Sequence, residues 1–247
     1  MACLLKAHPL VEGIPKICDR YRTINDRDGL FVEMRDRIQK NWRRYREPDR
    51  WPTRKNWALR VAPDFSSNPT KYIEKQLQKE IAIALELEGW GNDMPTASGL
   101  VDSRSRQMNV DIVHELTDGI ELFEVKVASD TPYDAALQIL RYGAIYTLYR
   151  LEPELASRFR WNRVLRAERV ALKVLAPPGY YASSDVDLRS LEKQLDRQVG
   201  HFAVSMADPL EMSFEFLTFP AGFNYQPGMD REVICDAVRS RHSPFAS

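Results

Sequence analysis

The sequence predicts an α/β fold, with helices on both sides of a mixed sheet, and three observations carry that expectation. Residues 109–126, NVDIVHELTDGIELFEVK, form two alternating, β-branched-rich runs around Asp118-Gly119, a dipeptide suited to a tight type I′ hairpin turn. Helical periodicity precedes and follows this hairpin. Two further apolar runs, residues 169–176 and 211–220, then alternate with another helical segment, the pattern of strands crossing over into one sheet.

Taken in order, residues 1–28 show no period and are punctuated by Pro9, Gly13 and Pro15, so they are expected to be irregular. Across 28–45, Leu30, Met34, Ile38, Trp42 and Tyr45 recur at helical spacing, while the other faces carry Arg35, Arg37, Lys40, Arg43 and Arg44. Pro48 and Pro52 end this helix, and Arg50, Trp51, Arg54, Lys55, Trp57 and Arg60 follow. Arginines mixed with tryptophans can hold phosphates and stack on bases. Arg43, Arg44, Arg50, Arg54 and Lys55 are therefore candidate nucleic-acid contacts. The pattern equally fits a helix docked by its apolar stripe with a solvated basic face, or an interface with a second copy or a partner protein. Trp42, Trp51 and Trp57 read as packing anchors rather than base platforms.

Asn68 and Pro69 suit the start of the next helix and Gly89 its end. At 100° per residue, Leu77, Ile81 and Leu85 fall within about 60° of Glu74, which draws that acid toward the core side, whereas Glu80 sits on the flank. Glu74 is the preferred metal-facing acid, with a dipole-favoured first-turn glutamate as the alternative. Residues 90–106 hold turn formers around a short strand. After the hairpin, Asp130 or Thr131 caps a helix over 133–150 that places Gln138 and Tyr142 on one face with Arg141 beside them. A charged connection (152–166), a strand (169–176), a helix (186–206), a strand (211–220) and a short helix (230–239) complete the chain.

The 247 residues are 44% hydrophobic and 28% charged, which is globular composition. No run of 18 apolar residues predicts a membrane span, and the opening MACLLKAHPLVEG has too short an apolar run for a signal peptide. Cys3, Cys18 and Cys235 follow no ligand spacing and fit a reducing cytoplasm. Charge is zero overall but divided: residues 1–68 carry +6 and the remainder −6. This marks residues 1–67 as a basic, partly helical extension and 68–247 as the main domain, with the extension supplying backbone affinity for a nucleic acid.

The hairpin gathers the chemistry. With Asp118 and Gly119 as the two loop residues, Val113 faces Glu124 and Asp111 faces Lys126, so Asp111, Glu124 and Lys126 share one face. Val110, Ile112, Phe123, Val125 and Val127 form an apolar set on the other, interrupted toward the turn by His114 and Glu121. A one-residue slip would break the constellation. Two carboxylates about 5 to 8 Å apart at Cβ can hold one hard cation. Mg²⁺, with Mn²⁺ as a substitute, suits a site offering few carboxylates plus water and phosphate oxygens. Lys126 adds a charge able to steady an attacking water or a developing anion. An exposed strand with an ordinary ion pair is the plainer alternative. No histidine pair, Gly-rich phosphate loop or nucleophile elbow offers other chemistry.

Asp111 followed after a hairpin by Glu124-Val125-Lys126, with Gln138-Ile-Leu-Arg-Tyr142 downstream, resembles the signature of the PD-(D/E)xK nuclease superfamily in its RecB-like Q-x-x-x-Y variant. Val110 stands where the proline of the motif would be. The resemblance covers roughly residues 69–220. It implies a restriction-endonuclease-like αβββαβ core and a Mg²⁺-dependent nuclease acting on nucleic acid, DNA foremost. Glu74, Asp111 and Glu124 would hold metal, Lys126 would serve the nucleophile, and Gln138 and Tyr142 would support the site or touch substrate together with Arg141. Defence against foreign DNA, repair and mobile-element processing are all compatible contexts. A nucleic-acid-binding or assembly module that keeps the fold without cutting is the alternative.

Overall fold

The computed structural model describes residues 8–22, 27–47, 51–61, 72–101, 108–182, 184–205 and 210–245. In chain order its elements are α1 (Ile14–Arg22), α2 (Leu30–Tyr45), α3 (Ile73–Ala84), β1 (Trp90–Pro95), β2 (Asn109–Glu115), β3 (Gly119–Val125), α4 (Pro132–Leu151), α5 (Pro153–Arg158), β4 (Arg169–Ala176), α6 (Pro178–Ala182), α7 (Leu188–Val204), β5 (Glu211–Thr218) and α8 (Arg231–Arg239). The five strands lie in sequence order, β1 to β3 as an antiparallel meander and β3 to β5 as parallel neighbours. A parallel pair needs a crossover. Here α4 supplies it between β3 and β4, and α6 with α7 between β4 and β5. The fold is α/β, a mixed sheet between helical layers.

Burial on both faces explains the near-continuous apolar strands. One core joins Ile120, Leu122, Leu172 and Val174 of the sheet to Ile139, Leu140 and Tyr146 of α4 and to Leu191 and Leu195 of α7. The other sets Ile112, Phe123, Val125 and Leu175 against Leu77 and Ile81 of α3 and Ile234 and Val238 of α8. No helix of the described residues is long and apolar enough to cross a membrane.

The described part of the N-terminal segment belongs to the first core. Leu30, Phe31, Met34, Ile38 and Trp42 of α2 are buried there. Trp57 is fully buried and packs edge-on to Tyr146 and Tyr149, with ring centroids 5.4 and 6.0 Å away. Trp42 and Trp57 are thus anchors, while Trp51 is 43% exposed.

Some local expectations are corrected. Residues 14–22, expected to be irregular, form α1 and bury Ile14, Ile17, Cys18 and Tyr21. Its nine residues are too short for a persuasive period, and Pro15 falls in the first turn, where proline is tolerated. The helix after Asn68-Pro69 is described only from Ile73, those two residues lying outside the described ones. It gives way after Ala84 to a 3₁₀ turn, and Gly89 ends the segment at φ +86°, as its position beyond the helix predicted. Thr131 caps α4, accepting the Asp134 N–H.

The hairpin register also differs. Ile112 lies opposite Phe123, Val113 opposite Leu122 and His114 opposite Glu121, and the Leu116 N–H donates to the Gly119 carbonyl at 2.9 Å. Thr117 and Asp118 therefore form the tip, not Asp118 and Gly119. Gly119 instead permits a close approach between strands, since a Cβ there would sit 2.8 Å from the carbonyl oxygen of Arg169 on β4. The shift is two residues, an even number, so every side chain keeps its face. Val110 is the exception, packing in the first core instead of with Ile112, Phe123 and Val125. Gly119→Ala is expected to cost about 1–3 kcal/mol by pushing the strands apart. Equilibrium urea unfolding checks this, and a loss below about 0.5 kcal/mol, the range of neutral surface changes, would refute it.

Candidate active site

The site forms where β3 ends, between the first turn of α3 and the N-terminal half of α4. Period-two alternation puts Asp111 of β2 and Glu124 of β3 on the α4 side of the sheet, and the chain beyond β3 adds Lys126. All three are buried, at 7, 3 and 5% exposure. One oxygen of Asp111, Oδ2, accepts the Val125 N–H at 3.0 Å, which ties β2 to β3 at the level of the site. The Lys126 N–H donates to the Leu175 carbonyl at 3.0 Å, and its Nζ stands 3.0 Å from Glu124 Oε1 and 3.5 Å from Asp130 Oδ2.

The charges interact strongly. Burial pushes the Glu124 carboxyl up, and the nearby Asp111 carboxylate adds to this; Lys126 and Arg141 pull it back, leaving it at about 8. Burial acts to lower the Lys126 ammonium, but Glu124 and Asp111 outweigh it and hold the group well above an ordinary lysine. Tyr142, 5% exposed, is pushed up to about 12 by burial, with Arg141 opposing and Glu124 and Asp111 adding. Its hydroxyl therefore shares the field of the two acids. Arg141 is not a surface cation: it is 5% exposed, with its guanidinium 5.0 Å above the Tyr142 ring. The carboxamide oxygen of Gln138 is buried and has no hydrogen-bond partner among the described residues.

Glu74 takes a different position from the one expected of a metal ligand. Its Oε1 accepts the Val127 N–H at 2.9 Å, the Ser129 N–H at 3.3 Å and the Ser129 hydroxyl at 2.7 Å, bracing the loop that carries Lys126. It remains close enough to strengthen the Lys126 ammonium. Glu80 faces elsewhere, accepting from Gln76 and from the Gly228 N–H. Among the described residues, no three His, Cys, Asp or Glu side chains are grouped to hold a metal ion. Asp111 and Glu124 still suit one hard cation completed by water, because the Asp111 carboxylate adds to the need of the buried Glu124 for a positive neighbour.

Three neighbours escaped the sequence reading. Lys75 Nζ lies 3.2 Å from Asp111 Oδ1 and 3.4 Å from Asp93 Oδ1, so it bridges acids on adjacent strands. Asp93 has φ +52° inside β1. Tyr180 of α6 is buried beside the patch; burial pushes its hydroxyl up, and Lys126 pulls it down. Glu74 pointed toward Lys75 only as its helical neighbour, and nothing local announces that β1 pairs with β2 on either side of Asp93, Asn92 with Ile112 and Met94 with Val110.

The basic candidates are dispersed. Arg43 pairs with Glu152 at 2.8 Å, Arg44 stacks over Tyr45, and Arg54 and Lys55 are exposed next to Trp51. Arg50 lies outside the described residues. His114, expected to be structural, stacks on Trp90 at 4.3 Å and pairs with Glu121 on the opposite face of the sheet. Compared with protein-family models, with curated proteins and with solved structures, the chain matches none.

Proposed function

We propose that the protein is a divalent-metal-dependent nuclease that hydrolyses phosphodiester bonds, with DNA as the favoured substrate. The observation that carries this reading is the buried triad of Asp111, Glu124 and Lys126 on one side of the sheet, at the C-terminal end of β3. Open α/β sheets bind ligands at the carboxyl ends of their parallel strands. The order α3, β1, β2, β3, α4, β4 also agrees with the αβββαβ core implied by the resemblance to the PD-(D/E)xK superfamily. Asp111 and Glu124 would hold Mg²⁺ or Mn²⁺, which supplies charge stabilisation and a more acidic water. Lys126, a permanent cation, donates to the attacking water or to the phosphate oxygen on which charge builds. Arg141 favours the charged Glu124 carboxylate from the α4 side, where the Tyr142 hydroxyl shares its field. Glu74 keeps the Lys126 loop in place through Val127 and Ser129.

Plasmid and single-stranded DNA incubated with Mg²⁺ or Mn²⁺ test the reading. The wild type is expected to cut and Asp111→Ala to be silent. Equal cleavage by both would refute the site.

One observation favours a second reading, a nucleic-acid-binding module that does not cut. Both acids already have an internal ammonium partner, Asp111 in Lys75 and Glu124 in Lys126. Lys75 therefore competes with any cation for Asp111. Lys75→Met is expected to tighten Mn²⁺ binding about tenfold by calorimetry, equivalent to about 1.4 kcal/mol, while Lys75→Arg stays near wild type. Unchanged affinity in Lys75→Met would show that Asp111 is not a cation ligand.

A further inference from the structure

The stretch RFRWNRVLRAER, residues 158–169, does not fit a plain connection. Arg158, Arg160, Trp161, Arg163 and Arg166 are all exposed along it. Arg163 pairs with Glu115 at 2.9 Å, and the Arg158 guanidinium lies 4.9 Å from the Trp51 ring centroid. For Arg160 and Arg166 the described residues offer no ion pair. Arg169 pairs with Asp118, but Arg160 and Arg166 line one cleft without such partners among the described residues, and two guanidinium groups there mark a surface that gains from an anion.

The second feature is aromatic. Trp161 is 50% exposed, yet its orientation is held: the indole N–H donates to the Arg158 carbonyl at 3.0 Å, and the ring lies 6.0 Å from the buried Phe159 at an interplanar angle of 29°. One face of the indole is backed by the core and the rest is left to solvent. A cleft of about 660 Å³ opens there, lined by Arg150, Arg160, Trp161, Arg166, Phe159 and Glu168. It continues into a second cleft of about 350 Å³ that shares Arg166 and Glu168 and reaches the hairpin tip at Thr117 and Asp118. On the other side, Arg158 lies over Trp51 and the Asn162 carboxamide donates to the Trp57 carbonyl at 2.9 Å, so this stretch packs against the segment that carries the exposed Arg54 and Lys55. Two basic segments far apart in sequence thus meet on one surface.

From this we infer a single-stranded nucleic-acid-binding groove, with Trp161 as the platform for an unpaired base and Arg160 and Arg166 on the flanking phosphates. A stacking surface flanked by guanidinium groups is what a strand with free bases requires, whereas duplex bases are already stacked on each other. An acidic protein would use the arginines but would leave the indole face without a matching partner. The groove is separate from the triad. It borders the start of β3 at Gly119, whereas the triad clusters at the far end of that seven-residue strand, about 20 Å away at strand rise. The inference goes beyond the nuclease reading and does not depend on it, because binding here needs no metal.

The test is fluorescence anisotropy with a labelled 20-nucleotide single strand, in EDTA so that nothing is cut. Trp161→Ala is expected to weaken binding roughly five- to hundredfold, the range of one lost base stack, and Trp161→Phe to restore most of it. Arg160→Glu with Arg166→Glu is expected to weaken binding at least about tenfold and to flatten the salt dependence by roughly 1.4 in log–log slope, for two phosphate contacts to a single strand. These side chains are exposed, so thermal melting should not shift. Wild-type affinity in both variants, equal affinity for a duplex, or displacement by polyglutamate at the same charge concentration would each overturn the groove. A protein that binds here but never cuts would sink the nuclease reading alone, and one that cuts while these variants bind normally would sink the groove alone.

Discussion

Lys126→Ala is expected to reduce metal-dependent DNA cleavage at least about a hundredfold, the usual consequence of removing one preorganised charge donor from an enclosed site. The magnitude follows from where the ammonium sits. It is 5% exposed and anchored by Glu124 and Asp130, with the Lys126 N–H fixed to Leu175, so it has little freedom to reorganise during the reaction. Its charge state decides its role. Burial would favour the neutral amine, but Glu124 and Asp111 hold it as the ammonium form, so the role proposed for Lys126 is that of a charge donor. A positive charge of similar reach should therefore recover part of the activity: Lys126→Arg is expected to lie between wild type and Lys126→Ala, with Lys126→Met as silent as alanine. Single-turnover cleavage rates decide this, and full activity in Lys126→Met would remove the residue from the site.

Glu124 adds a pH signature to the same experiment. Its carboxyl is raised to about 8 in the folded chain, first by burial and then by Asp111. Between the ordinary carboxylate range and pH 8 the native state then holds a proton that the unfolded chain has released. Stability without metal therefore falls as pH rises through that window. A cation must displace this proton, so affinity for Mn²⁺ is expected to increase from pH 6 to pH 8.5. Melting temperatures in EDTA at the two pH values, with Glu124→Gln as the control that lacks the slope, provide the check. A wild type and a Glu124→Gln variant with the same pH dependence would contradict it.

Glu121→Ala is the largest expected loss of stability, about 3–5 kcal/mol, because it strips Arg241 and His114 of their buried partner and leaves Lys173 with only the more exposed Glu215. Glu121 is 7% exposed on the side of the sheet opposite the triad. It accepts from Lys173 on β4, from Arg241 at 3.0 Å and from the His114 ring at 2.7 Å. The Arg241 guanidinium also lies 5.4 Å from the Trp90 ring and 5.6 Å from Phe123, so this carboxylate and these rings fasten the chain beyond α8 to the sheet, next to the backbone bridge between His242 and Thr218 of β5. Burial alone would raise the Glu121 carboxyl. The His114 hydrogen bond and the charges of Lys173 and Arg241 overcome it and bring it down to about 2. A depressed carboxylate contributes stability above its unfolded value that disappears as pH falls toward 2. Wild type is thus expected to lose this contribution between about pH 4.5 and pH 2, and Glu121→Ala to show less of that acid dependence. Urea unfolding at pH 7 and pH 3 measures both, and a loss under about 1 kcal/mol at pH 7, no more than a surface ion pair is worth, would refute the network.

The order of the strands and of the longer helices from Leu30 onward was legible in the residues alone, because amphipathic period and turn chemistry are local properties; the short α5 and α6 were not, since five or six residues carry no period. So was the common face of Asp111, Glu124 and Lys126. The hairpin turned two residues away from the expected position, yet a strand repeats its faces every two residues, and an even displacement leaves them unchanged. Tertiary structure alone decided the rest. Gly119 lies in the strand because the β4 backbone comes too close for any side chain, a fact about a segment fifty residues downstream. Glu74 braces Ser129, and Lys75 spans Asp93 and Asp111, only because the first turn of α3 lies over the end of the sheet. Arg141, one turn of helix beyond Gln138, is buried over the Tyr142 ring within the field of Glu124 and not solvated. Arg158, three residues before Trp161, meets Trp51 across a hundred residues of chain. Local propensity sets what each segment can become; which charges face one another depends on burial and long-range pairing, whose energies no single segment contains.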